Sequence, residues 1–209
     1  MIKVAITQRI SSNEKTNEIS ESLDINYAKA LKTIDILPVI LPYEVNFRDY
    51  FSLLDIEGII LSGGNDLSLV NSDPISKMRD KFELSLISYA IENKIPILGI
   101  CRGMQVIASY FGAKLTRVDN QVGIKHSLNL NEKSNFYDLL VKLDKVNSYH
   151  NFKIENLPDD FIVSARDHSG VIKAIEHKKY RIFGQMWHSE REKTFSSCEI
   201  KLIKKVFDQ

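Results

Sequence analysis

Four short runs in the first half of the chain are apolar along their whole length rather than at alternate positions. They are Val4-Ala5-Ile6, Leu37-Pro38-Val39-Ile40-Leu41, Gly58-Ile59-Ile60-Leu61 and Ile95-Pro96-Ile97-Leu98-Gly99-Ile100. A strand that is apolar on both faces must be covered on both, which is the condition of a parallel sheet sandwiched by helices. The segments between the runs supply the helices. Asn26 to Asp35 places Tyr27, Ala30, Leu31 and Ile34 at helical spacing, and in Ser76 to Asn93 Phe82, Leu84, Leu86, Ile87, Ala90 and Ile91 form much of an apolar helical face. Gly103 to Phe111 predicts a further helix, stopped by Gly112. The expected fold is therefore α/β: a three-layer α/β/α arrangement around a mostly parallel sheet.

The second half changes character. Ala113 to Val118, Ile124 to Leu130, Phe161 to Ala165, Val171 to Glu176 and Arg181 to Gln185 read as short strands separated by turns, and Cys198 to Phe207 as a closing helix. Antiparallel strands added to the parallel core are expected. Ser11 to Ser22 is polar enough to predict a long mobile loop. The 209 residues suit a single domain over 1–209.

Lys plus Arg number 28 against 27 Asp plus Glu, a net charge of +1, which favours neither nucleic acid nor an anionic membrane as partner. The N-terminus lacks the apolar run and cleavage site of a signal peptide. Two cysteines in so long a chain point to a reducing, cytoplasmic setting. Neither Cys nor His spacing suggests a metal site, and no cofactor is expected.

The sharpest local signal is Gly99-Ile100-Cys101-Arg102-Gly103, set between an apolar strand and a helix. That is the context of a nucleophile elbow with Cys in place of Ser. Small flanking residues relieve crowding at the tight turn, and the helix start offers free N–H groups and a positive dipole end. Cys101 is the candidate nucleophile. Among the five histidines, His188 closes a strand and is followed by Ser189-Glu190, so His188 is the candidate base and Glu190 its orienting carboxylate. The N–H of Arg102 and one from Gly63-Gly64, at the end of another strand, are candidates to hold an oxyanion.

Leu61-Ser62-Gly63-Gly64-Asn65-Asp66, the Cys101 segment extended to Gln105, and Gly184-Gln185-Met186-Trp187-His188-Ser189-Glu190 together resemble the class I glutamine amidotransferase-like family in order and spacing. Arg79-Asp80-Lys81-Phe82-Glu83, Asn147-Ser148-Tyr149-His150 and Tyr27 are similar to its γ-glutamyl hydrolase branch. The resemblance implies a flavodoxin-like core and a Cys101–His188–Glu190 triad. It implies oxyanion contacts from Gly64 and Arg102, and substrate contacts from Gly63, Asn65, Gln105, the backbone around Ser148 and Tyr149, and His150. Ser189 stands where the family usually has Pro, and both triad members flank it unchanged. Phe111-Gly112-Ala113-Lys114-Leu115, with no His-Gln pair after it, implies a pocket unlike that of γ-glutamyl-γ-aminobutyrate hydrolases.

The implied substrate is a small γ-glutamyl compound, linked to a nucleotide, with no synthetase partner required. Arg102, Lys125, Lys153 and Arg191 are the candidate phosphate partners by charge. Three other readings share parts of this pattern: a γ-glutamyl-γ-aminobutyrate-type hydrolase, the glutaminase subunit of a two-part amidotransferase, and a redox sensor that uses Cys101 alone.

Overall fold

The computed structural model describes residues 1–192 and 196–208. In chain order the elements are β1 (Ile2–Ile6), β2 (Arg9–Asn13), β3 (Glu18–Ser22), α1 (Ile25–Lys32), β4 (Ile36–Ile40), α2 (Phe47–Leu54), β5 (Gly58–Leu61), α3 (Pro74–Glu92), β6 (Ile97–Ile100) and α4 (Arg102–Tyr110). There follow β7 (Lys114–Arg117), β8 (Val122–His126), β9 (Asn129–Leu130), α5 (Tyr137–Leu140), β10 (Val146–Tyr149), β11 (Phe152–Glu155), β12 (Phe161–Arg166), β13 (Ile172–His177), β14 (Ile182–Gln185) and α6 (Ser197–Phe207).

One eight-stranded sheet runs in the order β4-β1-β5-β6-β14-β13-β12-β9. The five strands from β4 to β14 are mutually parallel, and β13, β12 and β9 continue antiparallel. β5, β6 and β14 are buried at every residue, which is why their sequences show no alternation. Helices lie on both faces. Gly58 faces the ring of Phe207 in α6, whereas Leu61, an odd number of residues away, faces Gly103 in α4. Among the described residues no helix is long and apolar enough to cross a membrane.

Ser11 to Ser22 is not a loop. β2 and β3 form an antiparallel hairpin pairing Arg9 with Ser22 and Asn13 with Glu18. Ile10 is its one deeply buried side chain. A two-stranded ribbon with both faces largely in water carries no hydrophobic alternation, so it reads as a loop. The segment Ile124 to Leu130 divides. β8 pairs with β10, while β9 joins the main sheet through β12. β7 and β11 make another two-stranded ladder. These short ribbons sit outside the main sheet, so only part of the predicted antiparallel set extends it.

Candidate active site

β6 ends at Ile100, and Cys101 turns the chain into α4 with φ of 53° and ψ of −103°. An L-residue in that region is strained, and the surrounding contacts must hold it there. Two do so visibly. The Cys101 N–H donates to the Gln185 carbonyl at 2.7 Å, and the turn closes against bare backbone. A Cβ at Gly103 would lie 2.0 Å from the Leu61 oxygen, and one at Gly99 would lie 2.7 Å from the Gly103 carbonyl. Only glycine fits at either position, as a nucleophile elbow demands.

β14 is the parallel neighbour of β6, with Gly184 beside Gly99 and Gln185 beside Ile100. Cys101 and His188 therefore emerge from the same end of adjacent strands, where open α/β sheets build their sites. Asn147 in β10 grips His188 by its backbone, accepting from its N–H and donating to its carbonyl, both at 2.8 Å. The His188 ring is wedged against Gly63, where a Cβ would come within 2.6 Å of Cε1. Its Nδ1 meets Glu190 Oε1 at 2.5 Å, which leaves Nε2 for the thiol. Burial alone would push the imidazole pKa down. The charge of Cys101 as a thiolate, its hydrogen bond and the Glu190 carboxylate outweigh that and raise His188 to about 9. Ser189, in place of the usual proline, starts a 3-10 turn over Ser189–Arg191 and accepts from Gln185 Nε2 at 2.9 Å. The substitution leaves the His188–Glu190 contact intact.

The Arg102 N–H opens α4 and has no carbonyl of its own helix to bond. The Gly63-Gly64 loop is held by Arg79, which is fully buried. Its guanidinium donates to the carbonyls of Ser62 at 2.8 Å, Gly63 at 3.0 Å and Gly64 at 2.7 Å. Drawing those carbonyls to one side turns the loop's N–H groups to the other. Glu83 joins the two halves: it accepts from Arg79 Nε at 3.0 Å and pairs with Arg102, which also pairs with Asp80. The Arg102 side chain is thus committed to the interior and is not a phosphate partner, contrary to the expectation from charge. Lys125 pairs with Glu192 and Lys153 with Glu155. Of the four candidate cations, Arg102 and Arg191 border the cavity over Cys101, and of these two only Arg191 has an exposed side chain.

A cavity of about 220 Å³ opens over Cys101 and is lined by Gly64, Asn65, Gln105, Tyr149, His150 and Arg191 among others. Gly63 lines an adjoining cavity on the far side of His188. Gln105 donates to the Phe152 carbonyl at 3.0 Å. The side chains of Asn65 and Ser148 are bonded within the protein, and the contact expected at Ser148 is one of its backbone. The Asn65 carboxamide accepts from the Ile10 N–H at 2.9 Å and donates to the Ile10 carbonyl at 2.8 Å, and its oxygen also accepts from Arg79 Nη1 at 3.1 Å. The Ser148 side chain is buried and turned away from the cavity, donating to Gln121 Oε1 at 3.0 Å.

Beneath Ser148 lies Lys173, buried, with Nζ 2.5 Å from Gln121 Oε1, 3.1 Å from Ser148 Oγ, 3.0 Å from His150 Nε2 and 3.5 Å from Asp167. Burial lowers Lys173 to about 8 against the opposing pull of Asp167. Burial and the Lys173 charge lower His150 to about 3, so His150 is neutral. It donates from Nδ1 to Phe152 O and accepts from Lys173 at Nε2. His150 is thus a wall of the cavity fixed from below. No role for Arg79, Asn147 or Lys173 follows from the sequence. The Arg79–Glu83 spacing of four residues on a helix was the available signal for the first.

The family profile of Peptidase C26 matches residues 1–190. A γ-glutamyl-CDP-amidate hydrolase of Campylobacter jejuni is 38% identical over 94% of this chain and 94% of its own. A glutamine-hydrolysing GMP synthase subunit from Methanococcus maripaludis is 26% identical over 78% of this chain and 79% of its own. A glutamine amidotransferase of Thermotoga maritima superposes with a TM-score of 0.67 at 18% identity, covering 98% of this chain and 83% of that one, which establishes the fold alone.

Proposed function

The chain belongs to the Peptidase C26 family, and from that premise we propose that it hydrolyses a γ-glutamyl amide bond through Cys101, His188 and Glu190. The observation that carries the reading is the strained Cys101 turn beside a buried His188 bound to Glu190 at 2.5 Å. The proposed substrate is γ-glutamyl-CDP-amidate, supported by the Campylobacter jejuni relative. Its products are glutamate and cytidine diphosphoramidate, in capsule phosphoramidate synthesis. The enzyme acts alone in the cytoplasm, where both cysteines stay free.

The proposed steps are these. The Cys101 thiolate bonds to the γ-carbonyl carbon, and the oxyanion is held by the Gly64 and Arg102 N–H groups. As the C–N bond breaks, the His188 imidazolium gives its proton to the departing nitrogen, leaving a γ-glutamyl thioester. Water then attacks the thioester, His188 takes its proton, and glutamate leaves as the thiolate is restored. Glu190 fixes the imidazole and stabilises its cation. Gln105, Tyr149 and His150 wall the glutamyl cavity.

The deciding measurement is glutamate release from γ-glutamyl-CDP-amidate, glutamine and γ-glutamyl-γ-aminobutyrate, with Cys101→Ala as control. Strong preference for the first is expected. Preference for glutamine, stimulated by a synthetase protein, would replace this reading with the amidotransferase subunit.

The pH profile is a further expected outcome. His188 is raised in the folded state, so its contribution to stability is complete below its ordinary value of 6.5 and lost as pH rises through about 9. The proton it delivers is lost over the same range, so kcat/KM falls on an alkaline limb near pH 9. Lys173, near 8, titrates on the same side. Glu190→Gln removes a carboxylate that raises His188 and shifts the His188 limb to lower pH. A limb unmoved in that variant would remove Glu190 from the triad.

A further inference from the structure

Two cavities meet at His188. Gly64, His188 and Arg191 line both. On one side are Cys101, Gln105 and Asp66. On the other are Arg9, Asp24 and Tyr27. The direction of the chemistry assigns them. Cys101 attacks from the first cavity, and the nitrogen departs toward the group that protonates it, His188. Whatever that nitrogen carries therefore extends past His188 into the second cavity.

The charges differ accordingly. Asp66, on the Cys101 side, suits the α-ammonium of a glutamyl group. Beyond His188 the lining adds a second cation, Arg9, to the shared Arg191. Arg9 donates from Nε to Ser22 Oγ at 3.0 Å, and no described acidic group pairs with its guanidinium. Two acids also line that side, and both are engaged: Asp24 caps α1, accepting from the Asn26 N–H at 2.9 Å, and the buried Glu190 is bonded to His188 Nδ1 at 2.5 Å. The Arg9 stem lies across the oxyanion loop: a Cβ at Gly64 would stand 3.1 Å from Arg9 Cβ. Arg191 lines both cavities, stacked over the Tyr149 ring at 4.8 Å with Nε 3.8 Å from Glu190.

We propose that Arg9 and Arg191 form a subsite for the diphosphate of the leaving group. The inference rests on the γ-glutamyl hydrolase reading above and adds to it where the substrate's anionic part is held. A phosphoryl group bonded to the departing nitrogen lies two bonds from the scissile carbon. Guanidinium groups there pair with its oxygens and stabilise the electron density gathering on the nitrogen as the C–N bond breaks. An enzyme that releases ammonia has nothing for such a pair to hold.

The test compares kcat/KM for γ-glutamyl-CDP-amidate and for γ-glutamyl-p-nitroanilide, whose leaving group is neutral. The readout is the ratio of the two. Arg9→Gln and Arg191→Gln each lower that ratio about tenfold and the double variant about a hundredfold, while Arg191→Lys retains most of it. Added salt lowers the ratio in the parent enzyme and not in the double variant. An unchanged ratio, or equal losses on both substrates, overturns the subsite. CDP as competitive inhibitor of anilide hydrolysis separates this from failure of the substrate reading. If the parent enzyme cleaves the anilide but not the nucleotide compound, the proposed substrate is wrong. Even then, CDP inhibition weakened in both variants supports the subsite, and inhibition that is absent or unaltered removes it.

Discussion

Cys101→Ala will keep its fold and bind substrate but release no glutamate, with kcat reduced by at least about 10⁴-fold. Nothing else in the site can replace the thiol. His188 is already bound to Glu190 through Nδ1, and the other side chains over Cys101 are amides, a phenol, a neutral imidazole, the Arg191 guanidinium and the Asp66 carboxylate, none of which sits on the strained turn at the start of α4. Alanine occupies the same left-handed turn at no greater strain than cysteine, and the buried side chain loses a single sulfur. The thermal midpoint should therefore move only slightly. Without the thiolate beside it, His188 also loses the first of the influences that hold its pKa up. Turnover within about tenfold of the parent enzyme would mean that another group is the nucleophile and would end the thioester mechanism.

Glu83→Gln is expected to cost about 3–5 kcal/mol of stability, the usual consequence of breaking a buried ion pair by removing one partner. Glu83 is fully buried between two guanidinium groups, Arg79 and Arg102, which are themselves buried. Burial alone would raise its pKa. The charges of Arg102 and then Arg79 outweigh it and hold Glu83 below the ordinary carboxylate range. Its stabilisation is therefore present above the unfolded carboxylate pKa and is lost as pH falls through the lower folded value. Glutamine leaves the two cations facing a neutral amide, with Asp80 as the sole remaining carboxylate on Arg102. Urea unfolding of the variant measures the loss, and a change under about 1 kcal/mol would show that the cluster relaxes easily. Activity should fall as well. Arg79 sets the Gly63-Gly64 loop and Arg102 opens α4, so Glu83 ties together both candidate oxyanion donors.

What could be read in the sequence, and what could not, divides by range of interaction. β5 and β6 were legible because burial on both faces leaves an unbroken apolar run. The Cys101 elbow was legible because Gly99 and Gly103 mark a turn that admits no Cβ. The β2–β3 ribbon was not, since Ile10 is its only deeply buried side chain. α2 was missed despite its signal: Asn46 as cap, then Phe47, Tyr50, Phe51 and Leu54 on one face. Asn147 and Arg79 were visible as residues but not as clamps, because nothing local shows which distant carbonyl a side chain will meet. The same limit made Arg102 look like a phosphate ligand. A charge count cannot distinguish a cation facing water from one locked between Glu83 and Asp80.

The clasp between Asn65 and Ile10 has a consequence for motion. Asn65 sits in the left-handed region with φ of 50°, and its amide behaves as a short extra strand pairing with the β2–β3 ribbon. The ribbon carries Arg9, and Asn65 follows directly on Gly64. Ribbon and Gly63-Gly64 loop are therefore expected to open as one cooperative unit, with the Ile10 amide exchanging with solvent deuterium only when that loop is unseated. If Gly64 holds the oxyanion as proposed, admission of a bulky leaving group and the chemistry would occur in turn.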